Sequence, residues 1–454
     1  MRAVGLKRDR QLQAPQATSL NIQNLPPQRD LSLALPNKDF PVVIVTGRAG
    51  TGKSTLVRDL AKSGGPRQVV LAPTGVAALN VEGQTIHSFF RLPPHIFNHE
   101  DIAPIPSRQQ LYQNLECIII DEMSMVRADL LDSIDCTLRV NRGNNAPFGG
   151  VKIVLIGDLL QLPPVVTNAD AEILANMGYE TPYIVSAKAL RNIRVRFVEL
   201  PTVYRQDDEE FIQMLADLRL GKNVENVVNA INEKCYGPHR LSMTPIILTA
   251  TNAQADFHNQ RKLSALPSPV STYVGTIQGT FNFNQDKFPA PMHLDLKIDT
   301  RVILVKNDPG QRWVNGSLAT VTQTCPNSVW VRLDGRPDEY GINRVSWDKI
   351  EYRWSRGEGK IVPEVTGSYS QIPLKAAWAI TIHKAQGLTL ENVRIDLGSG
   401  AFASGQAYVA LSRVKSLAGL SLRHRLTVAD VWVDPTLLFV TEEIARNAEI
   451  WVDG

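Results

Sequence analysis

Residues 47–54 read Gly47-Arg48-Ala49-Gly50-Thr51-Gly52-Lys53-Ser54, and the rest of the chain is organised around them. Its spacing is GxxxxGKS. Four apolar β-branched residues, Val42 to Val45, lead into it, and a helix-compatible run, Thr55-Leu56-Val57-Arg58-Asp59-Leu60, follows. A strand, a glycine-rich turn and a helix in that order are what a phosphate-binding loop requires. Glycines lack a Cβ, so backbone N–H groups of residues such as Gly50, Thr51 and Gly52 can curl around a triphosphate. The helix start adds its positive dipole end. Lys53 is placed to reach the β- and γ-phosphates, and the Ser54 hydroxyl to sit on Mg²⁺.

The bulk properties set bounds. A chain of 454 residues exceeds one ordinary core and implies two to four domains. The net charge of +3 argues neither for nor against nucleic acid, because a local basic groove can hide in a balanced total. Cys117, Cys136, Cys235 and Cys325 are widely spaced and form no CxxC pair, which disfavours a zinc site or a disulfide framework and fits reduced thiols. No apolar run has the length to cross a bilayer, and the N-terminus lacks an apolar signal core.

Residues 1 to about 38 read as an irregular arm, with Leu31 to Leu35 as a short helix before the first strand. Gln68 to Thr74 reads as a buried strand entering a turn. In the segment that follows, Thr74, Thr85, His87 and Ser88 are donors suited to phosphates, and Phe89 is suited to stack on a base. The other reading places His87 and Phe89 in the core. Residues 91–113 are polar and proline-rich, an excursion from the sheet.

Glu116 to Ile120 makes another buried strand and ends in Asp121-Glu122. An acidic pair at the carboxyl end of an apolar strand, downstream of a phosphate-binding loop, fits a metal-and-water site. Asp121 would hold Mg²⁺, and Glu122 would activate water. Acidic residues after a strand also simply begin turns; the upstream loop favours the functional reading. Ala128 to Val140 has helical apolar spacing, and Val151 to Ile156 is a strand entering Gly157-Asp158-Leu159-Leu160-Gln161. A glutamine there is placed to sense a γ-phosphate. Arg196 to Leu200 precedes Tyr204-Arg205-Gln206, and Phe211, Met214, Leu215 and Leu218 mark an amphipathic helix stopped by Gly221.

A second α/β unit opens near Ile246 to Asn252. From about 300 to 371 the chain turns β-rich, with Trp313, Trp330, Trp347 and Trp354, which suggests a small inserted antiparallel barrel. The α/β pattern resumes at Leu374, then gives Thr381-Ile382-His383-Lys384-Ala385-Gln386-Gly387 and a helix near Gln406 to Val414. Arg205 and Arg413 are candidates to reach a triphosphate across a cleft.

Taken together these stretches resemble the petite-integration-frequency (PIF) helicases, RecD-like members of superfamily one, from about residue 40 to the C-terminus. The resemblance rests on GRAGTGKST (47–55), APTGVAALNVEGQTIHSFF (72–90), IIIDEMSMV (118–126), LLDSIDCTLRVNRGNNAPFGG, GDLLQLPPV (157–165), YRQDDEEF (204–211), ITIHKAQGLTL (380–390) and YVALSRVKSLAGL (408–420). It implies an α/β fold of two RecA-like P-loop domains with ATP between them and DNA across their top. Domain one would span 39–198 with a wedge at about 91–113. Domain two would span 199–299 and 372–454, interrupted by a Src-homology-3-like barrel at 300–371.

It implies that Lys53, Ser54 and Thr55 bind nucleotide and metal, and that Asp121 and Glu122 do the metal and water work. Gln161 would sense the γ-phosphate. Arg205 and Arg413 would stabilise transferred charge, and Gln386 and Gly387 would close the site. Thr74, Thr85, His87, Ser88, Phe89, Thr251, Asn252, Thr381, His383 and Lys384 would touch DNA. Family members carry a glutamine roughly seventeen residues before the loop's first glycine; Asp30 stands there, with Gln28 slightly displaced as the candidate to read adenine.

The implied activity is ATP- and Mg²⁺-dependent 5′-to-3′ translocation on single-stranded DNA and unwinding of tailed duplexes. Four-stranded guanine structures and RNA–DNA hybrids are further substrates that the resemblance leaves open. The implied state is a monomer in solution and a dimer on DNA, in a compact prokaryotic, cytoplasmic, nucleoid-associated enzyme without membrane contact. An ATP-gated single-strand clamp that does not unwind is the alternative. A metabolic P-loop kinase leaves the second α/β unit unexplained.

Overall fold

A computed structural model describes residues 34–37, 39–191, 193–237, 245–281 and 288–450. The chain first builds β1 (Val42–Gly47), α1 (Lys53–Ser63), β2 (Gln68–Ala72), α2 (Gly75–Asn80), β3 (Gln84–Thr85), α3 (Ile86–Phe90), α4 (Gln109–Asn114), β4 (Cys117–Ile120), α5 (Ala128–Arg142), β5 (Lys152–Ile156), α6 (Asn168–Asn176) and β6 (Val195–Leu200). These six strands and one more lie parallel, with β1 between β5 and β6 and β4 between β5 and β2. Both faces are covered, which is why β1 and β4 read as unbroken apolar runs. Val43, Val45 and Val198 pack with Leu56, Val57 and Leu60 of α1. Val42, Ile44, Ile118 and Ile153 pack with Leu131, Ile134 and Leu138 of α5.

Next come α7 (Glu209–Arg219), α8 (Val224–Cys235), β7 (Ile246–Thr249) and α9 (Asn252–Ala265). Phe211, Met214, Leu215 and Leu218 of α7 share a core with Ile246 and Leu248, so α7 belongs to the second unit. Ten antiparallel strands follow: β8 (Ser271–Val274), β9 (Thr276–Gly279), β10 (His293–Leu296), β11 (Arg301–Leu304), β12 (Leu318–Thr324), β13 (Ser328–Leu333), β14 (Glu339–Asn343), β15 (Val345–Ser355), β16 (Lys360–Gln371) and β17 (Leu374–Ala376). The second unit resumes with β18 (Ala379–Thr381), α10 (Ile382–Ala385), β19 (Val393–Asp396), α11 (Gln406–Leu411) and β20 (Leu420–Leu422), in the parallel order β18-β7-β19-β20. Finally α12 (Pro435–Asn447) and β21 (Glu449–Ile450) return to the first sheet, where β21 pairs parallel with β6.

Several sequence expectations need correction. The α/β pattern does not resume at Leu374: β17 closes the antiparallel sheet by pairing with β11, and the parallel sheet restarts at Ala379. Antiparallel structure begins at Ser271 rather than near 300, because β9 completes a sheet with β16. The last residues do not belong to the second unit; Leu437 and Ile444 bury in the first core. Residues 91–113 do not all leave the sheet, since Leu111 and Tyr112 of α4 are fully packed in that core. Ala34 and Leu35 lie in a turn and a bend rather than a helix, and residues 31–33 fall outside the described residues.

The β15–β16 hairpin reaches the first unit. The Tyr352 N–H donates to Gln84 Oε1 at 3.2 Å, and Glu351 Oε2 accepts from Arg108 at 2.8 Å and Arg91 at 2.9 Å. Of the four tryptophans, Trp313 and Trp347 are buried and Trp330 is partly exposed. No helix among the described residues is long and apolar enough to cross a membrane.

Candidate functional site

β1 delivers the glycine-rich loop to the boundary between the two parallel units. Gly50 has φ +85°, and a Cβ there would stand 2.6 Å from Arg205 Cβ, so backbone and neighbour both demand glycine. Lys53 Nζ donates to the carbonyls of Gly47 (2.6 Å) and Arg48 (2.8 Å), and Thr51 Oγ1 donates to the Arg48 carbonyl (3.0 Å). Burial lowers the Lys53 ammonium to about 8, while Asp158 and Glu122 pull it back upward. Ser54 is exposed on the first turn of α1, with Thr55 beside it.

The apolar strand β4 ends in the acidic pair. Asp121 Oδ1 accepts from the Glu122 N–H at 2.9 Å, and Glu122 sits at φ +52°, a left-handed conformation that turns its side chain toward the cleft loop of the second unit. Burial pushes Asp121 up to about 7, and the neighbouring Glu122 charge adds to it. Glu122 is also raised, by burial, against the pull of Lys53 and Arg413. Gln386 Nε2, from the second unit, donates to Glu122 Oε2 at 2.9 Å.

Arg413 is 1 % exposed; its Nε donates to the Val409 carbonyl (2.8 Å) and its Nη2 to Ser412 Oγ (2.7 Å). Burial, then the nearby Arg205 charge, lowers it to about 9. Arg205 donates to Thr389 Oγ1 and the Ser412 carbonyl. Lys53, Asp121, Glu122, Arg205, Gln386 and Arg413 therefore meet in one cleft, where three cations face two carboxylates. That surplus suits a polyanion. Gly387, at φ +81°, ends the same turn as Gln386.

The sequence marks Gln161 but not Asp158 and Arg219, which hold it, nor Tyr408, which holds the phosphate loop. Gln161 Nε2 donates to Asp158 Oδ2 at 3.4 Å. Asp158 is gripped by the Arg219 fork at 2.8–3.2 Å. Burial alone would raise Asp158; Arg219 outweighs it and holds the carboxyl below its usual range. Tyr408 Oη accepts from the Ala49 N–H of the phosphate loop at 2.9 Å. Asp158 was visible as a lone acid in an apolar loop. Arg219 carried no signal, because a helix-end arginine reads as solvated.

The residues assigned to a strand track sit at carboxyl ends of parallel strands. Thr74, Thr85, Thr251 and Thr381 cap α2, α3, α9 and α10, accepting from Ala77, Ser88, Gln254 and Lys384 N–H groups. Caps after strands explain these threonines locally; the Thr251 hydroxyl also donates to Gln254 Oε1 at 3.3 Å. Asn252 and Lys384 are exposed, His87 and Ser88 half-buried. Ser88 Oγ accepts from Gln84. His383 stacks on Phe402 at 6.4 Å, and burial lowers its pKa. Phe89 is a correction: it is 0 % exposed, its ring 4.8 Å from Phe90 and 5.7 Å from Tyr112, and it offers no face to a base. Gln28 lies outside the described residues.

The sequence pattern of the PIF1-like helicase family matches residues 33–229. The human "ATP-dependent DNA helicase PIF1" is 34% identical over 91% of this chain, which spans 63% of that relative's length. The Bdellovibrio bacteriovorus "ATP-dependent DNA helicase Pif1" is 32% identical, over 84% of this chain and 83% of its own. The crystal structure of Bacteroides sp. Pif1 in complex with ADP-AlF4 superposes with a TM-score of 0.82 at 32% identity, covering 90% of this chain and 94% of that one.

Proposed function

The chain belongs to the PIF1-like helicase family, and from that premise we propose that it is an ATP-dependent DNA helicase moving 5′-to-3′ on single-stranded DNA. One observation carries the reading. The turn from Thr381 to Gly387 ties the two sites together: Gln386 donates to Glu122 at 2.9 Å, while His383 and Lys384, three and two residues earlier, are the groups this reading gives to the strand. A change in the hydrolytic carboxylate is thereby three residues from the strand.

Asp121 and Ser54 fit Mg²⁺. Both offer hard oxygens, and Asp121 Oδ2 has no hydrogen-bond donor among the described residues. When bound, Mg²⁺ neutralises phosphate charge. Lys53 and the loop N–H groups bind the phosphates, Glu122 orients and deprotonates the attacking water, and Gln161 senses the terminal phosphate. Arg205 and Arg413 release their carbonyl partners to meet the transferred charge.

The domain reading follows: a RecA-like first domain at about 39–198 joined by the C-terminal α12 and β21, and a second RecA-like domain from 199 interrupted by the antiparallel insert. A Src-homology-3-like barrel in that insert and a wedge within about 91–113 are the strand-separating elements of this reading.

The deciding experiment is strand separation, with ATP and Mg²⁺, of matched duplexes carrying a 5′ or a 3′ single-stranded tail. Unwinding from the 5′ tail alone is expected. Unwinding from the 3′ tail alone overturns the direction, and DNA-stimulated hydrolysis without unwinding replaces the helicase by an ATP-gated clamp.

A further inference from the structure

The loop Gly157–Leu162, which carries Gln161, is held by the second unit at two points. One is backbone: a Cβ on Gly405 would meet the Leu160 carbonyl oxygen at 2.4 Å and the Gln161 carbonyl oxygen at 3.0 Å, so the start of α11 lies directly against the loop. The other is Arg219, the last residue of α7. Its Nε and Nη2 donate to both Asp158 oxygens, at 3.1–3.2 and 2.8 Å, with the Asp158 side chain fully buried. The same carboxylate accepts from Leu160 N–H (3.2 Å) and Gln161 Nε2 (3.4 Å).

A planar fork on a carboxylate fixes orientation as well as charge. Asp158 is thus set by Arg219 and in turn sets the Gln161 amide. α7 contributes Phe211, Met214, Leu215 and Leu218 to the core that also holds β7, so the helix and the parallel strand sheet move as one packed body. Asp158 also lies near Lys53. Without Arg219 its charge would be balanced by the phosphate-loop lysine, drawing that ammonium from its ligand.

We infer that Arg219 is a positioning residue for the ATPase cycle: through Asp158 it links the γ-phosphate sensor Gln161 to the DNA-gripping second unit. This rests on the reading of the chain as a DNA-stimulated ATPase. The Arg219 guanidinium is buried and donates to Asp158, so its effect is relayed through that carboxylate.

The test compares ATP turnover with and without single-stranded DNA for wild type, Arg219→Lys, Gln161→Ala, their combination, and the Asp158→Asn/Arg219→Met pair. Arg219→Lys keeps the charge but loses the fork, and should cut the stimulated-to-basal ratio about tenfold, within the usual range of coupling. Combined with Gln161→Ala it should add no further loss, because both act on one link. The Asn/Met pair removes both buried charges together, so its melting temperature should stay near that of wild type while stimulation stays lost. A ratio that recovers in the Asn/Met pair, or losses that multiply in the combination, overturns the inference and leaves a merely structural ion pair. A wild-type enzyme that DNA does not stimulate overturns the underlying reading first, and is distinguished by that control alone.

Discussion

The candidate nucleotide cleft and the proposed strand track are both assembled from loops at the carboxyl ends of parallel strands, yet they handle charge in opposite ways. In the cleft, Asp121, Asp158, Arg219 and Arg413 are buried, and Lys53, Asp121, Glu122 and Arg413 are displaced from their ordinary protonation equilibria by that burial. Along the proposed track, the groups are capping threonines, exposed Asn252 and Lys384, and a half-buried His383. Fixed charges away from water act strongly on a charge that develops during reaction. A strand that must slide needs weaker, repeated contacts to its phosphates. One cleft residue should therefore matter far more than one residue of the proposed track.

The largest effect should come from Glu122→Gln, which keeps the shape and the Gln386 contact but removes the base. ATP turnover should fall about 10²–10⁴-fold with nucleotide binding retained, measured by phosphate release and by a fluorescent nucleotide. A fall under tenfold would erase the contrast with the track. Lys53→Ala should follow, at about 10²–10³-fold in turnover, with loss of unwinding; unchanged turnover would remove the phosphate loop from the site.

Asp121→Asn sharpens the electrostatic side. The folded carboxyl titrates at about 7, above its ordinary value. A group raised in this way stabilises the fold fully below its unfolded value and loses that stabilisation as pH rises through about 7. The variant should therefore melt a few degrees higher than wild type near pH 8 and no higher near pH 4. A melting shift independent of pH would contradict strain at this carboxylate.

Track substitutions should be small. Lys384→Ala should weaken single-strand binding only a few-fold and reduce the slope of log affinity against log salt by about 0.7. Phe89→Leu should cost stability through its packing with Phe90 and Tyr112 and leave strand affinity within about twofold, because a sealed ring has no base to stack on. Strand affinity lost at unchanged stability would restore the stacking role.

Much was legible in the chain itself. Val42 to Ser54 specifies strand, loop and helix through β-branching and glycine placement, and Cys117 to Glu122 specifies a buried strand ending in two acids. Those signals are local: each depends on periodicity or a spacing within about ten residues. Phe89 was ambiguous for the same reason, since an apolar ring after a donor-rich turn fits a core and a stacking platform equally well. Only packing chose, by enclosing it against Phe90 and Tyr112.

The phosphate loop and the acidic pair were set in the chain alone, because each is written in contiguous residues, and so was the presence of two α/β units, though not their boundaries. The tertiary structure alone decided that β21 pairs with β6 at the far end of the chain, that β17 belongs to the antiparallel sheet, and that the β15–β16 hairpin docks on the first unit. It alone joined Arg219 to Asp158, 61 residues apart, and Gln386 to Glu122, 264 apart. A buried ion pair or a cross-cleft hydrogen bond leaves no periodic trace in sequence; it exists only once burial has removed the water that would otherwise have satisfied both partners.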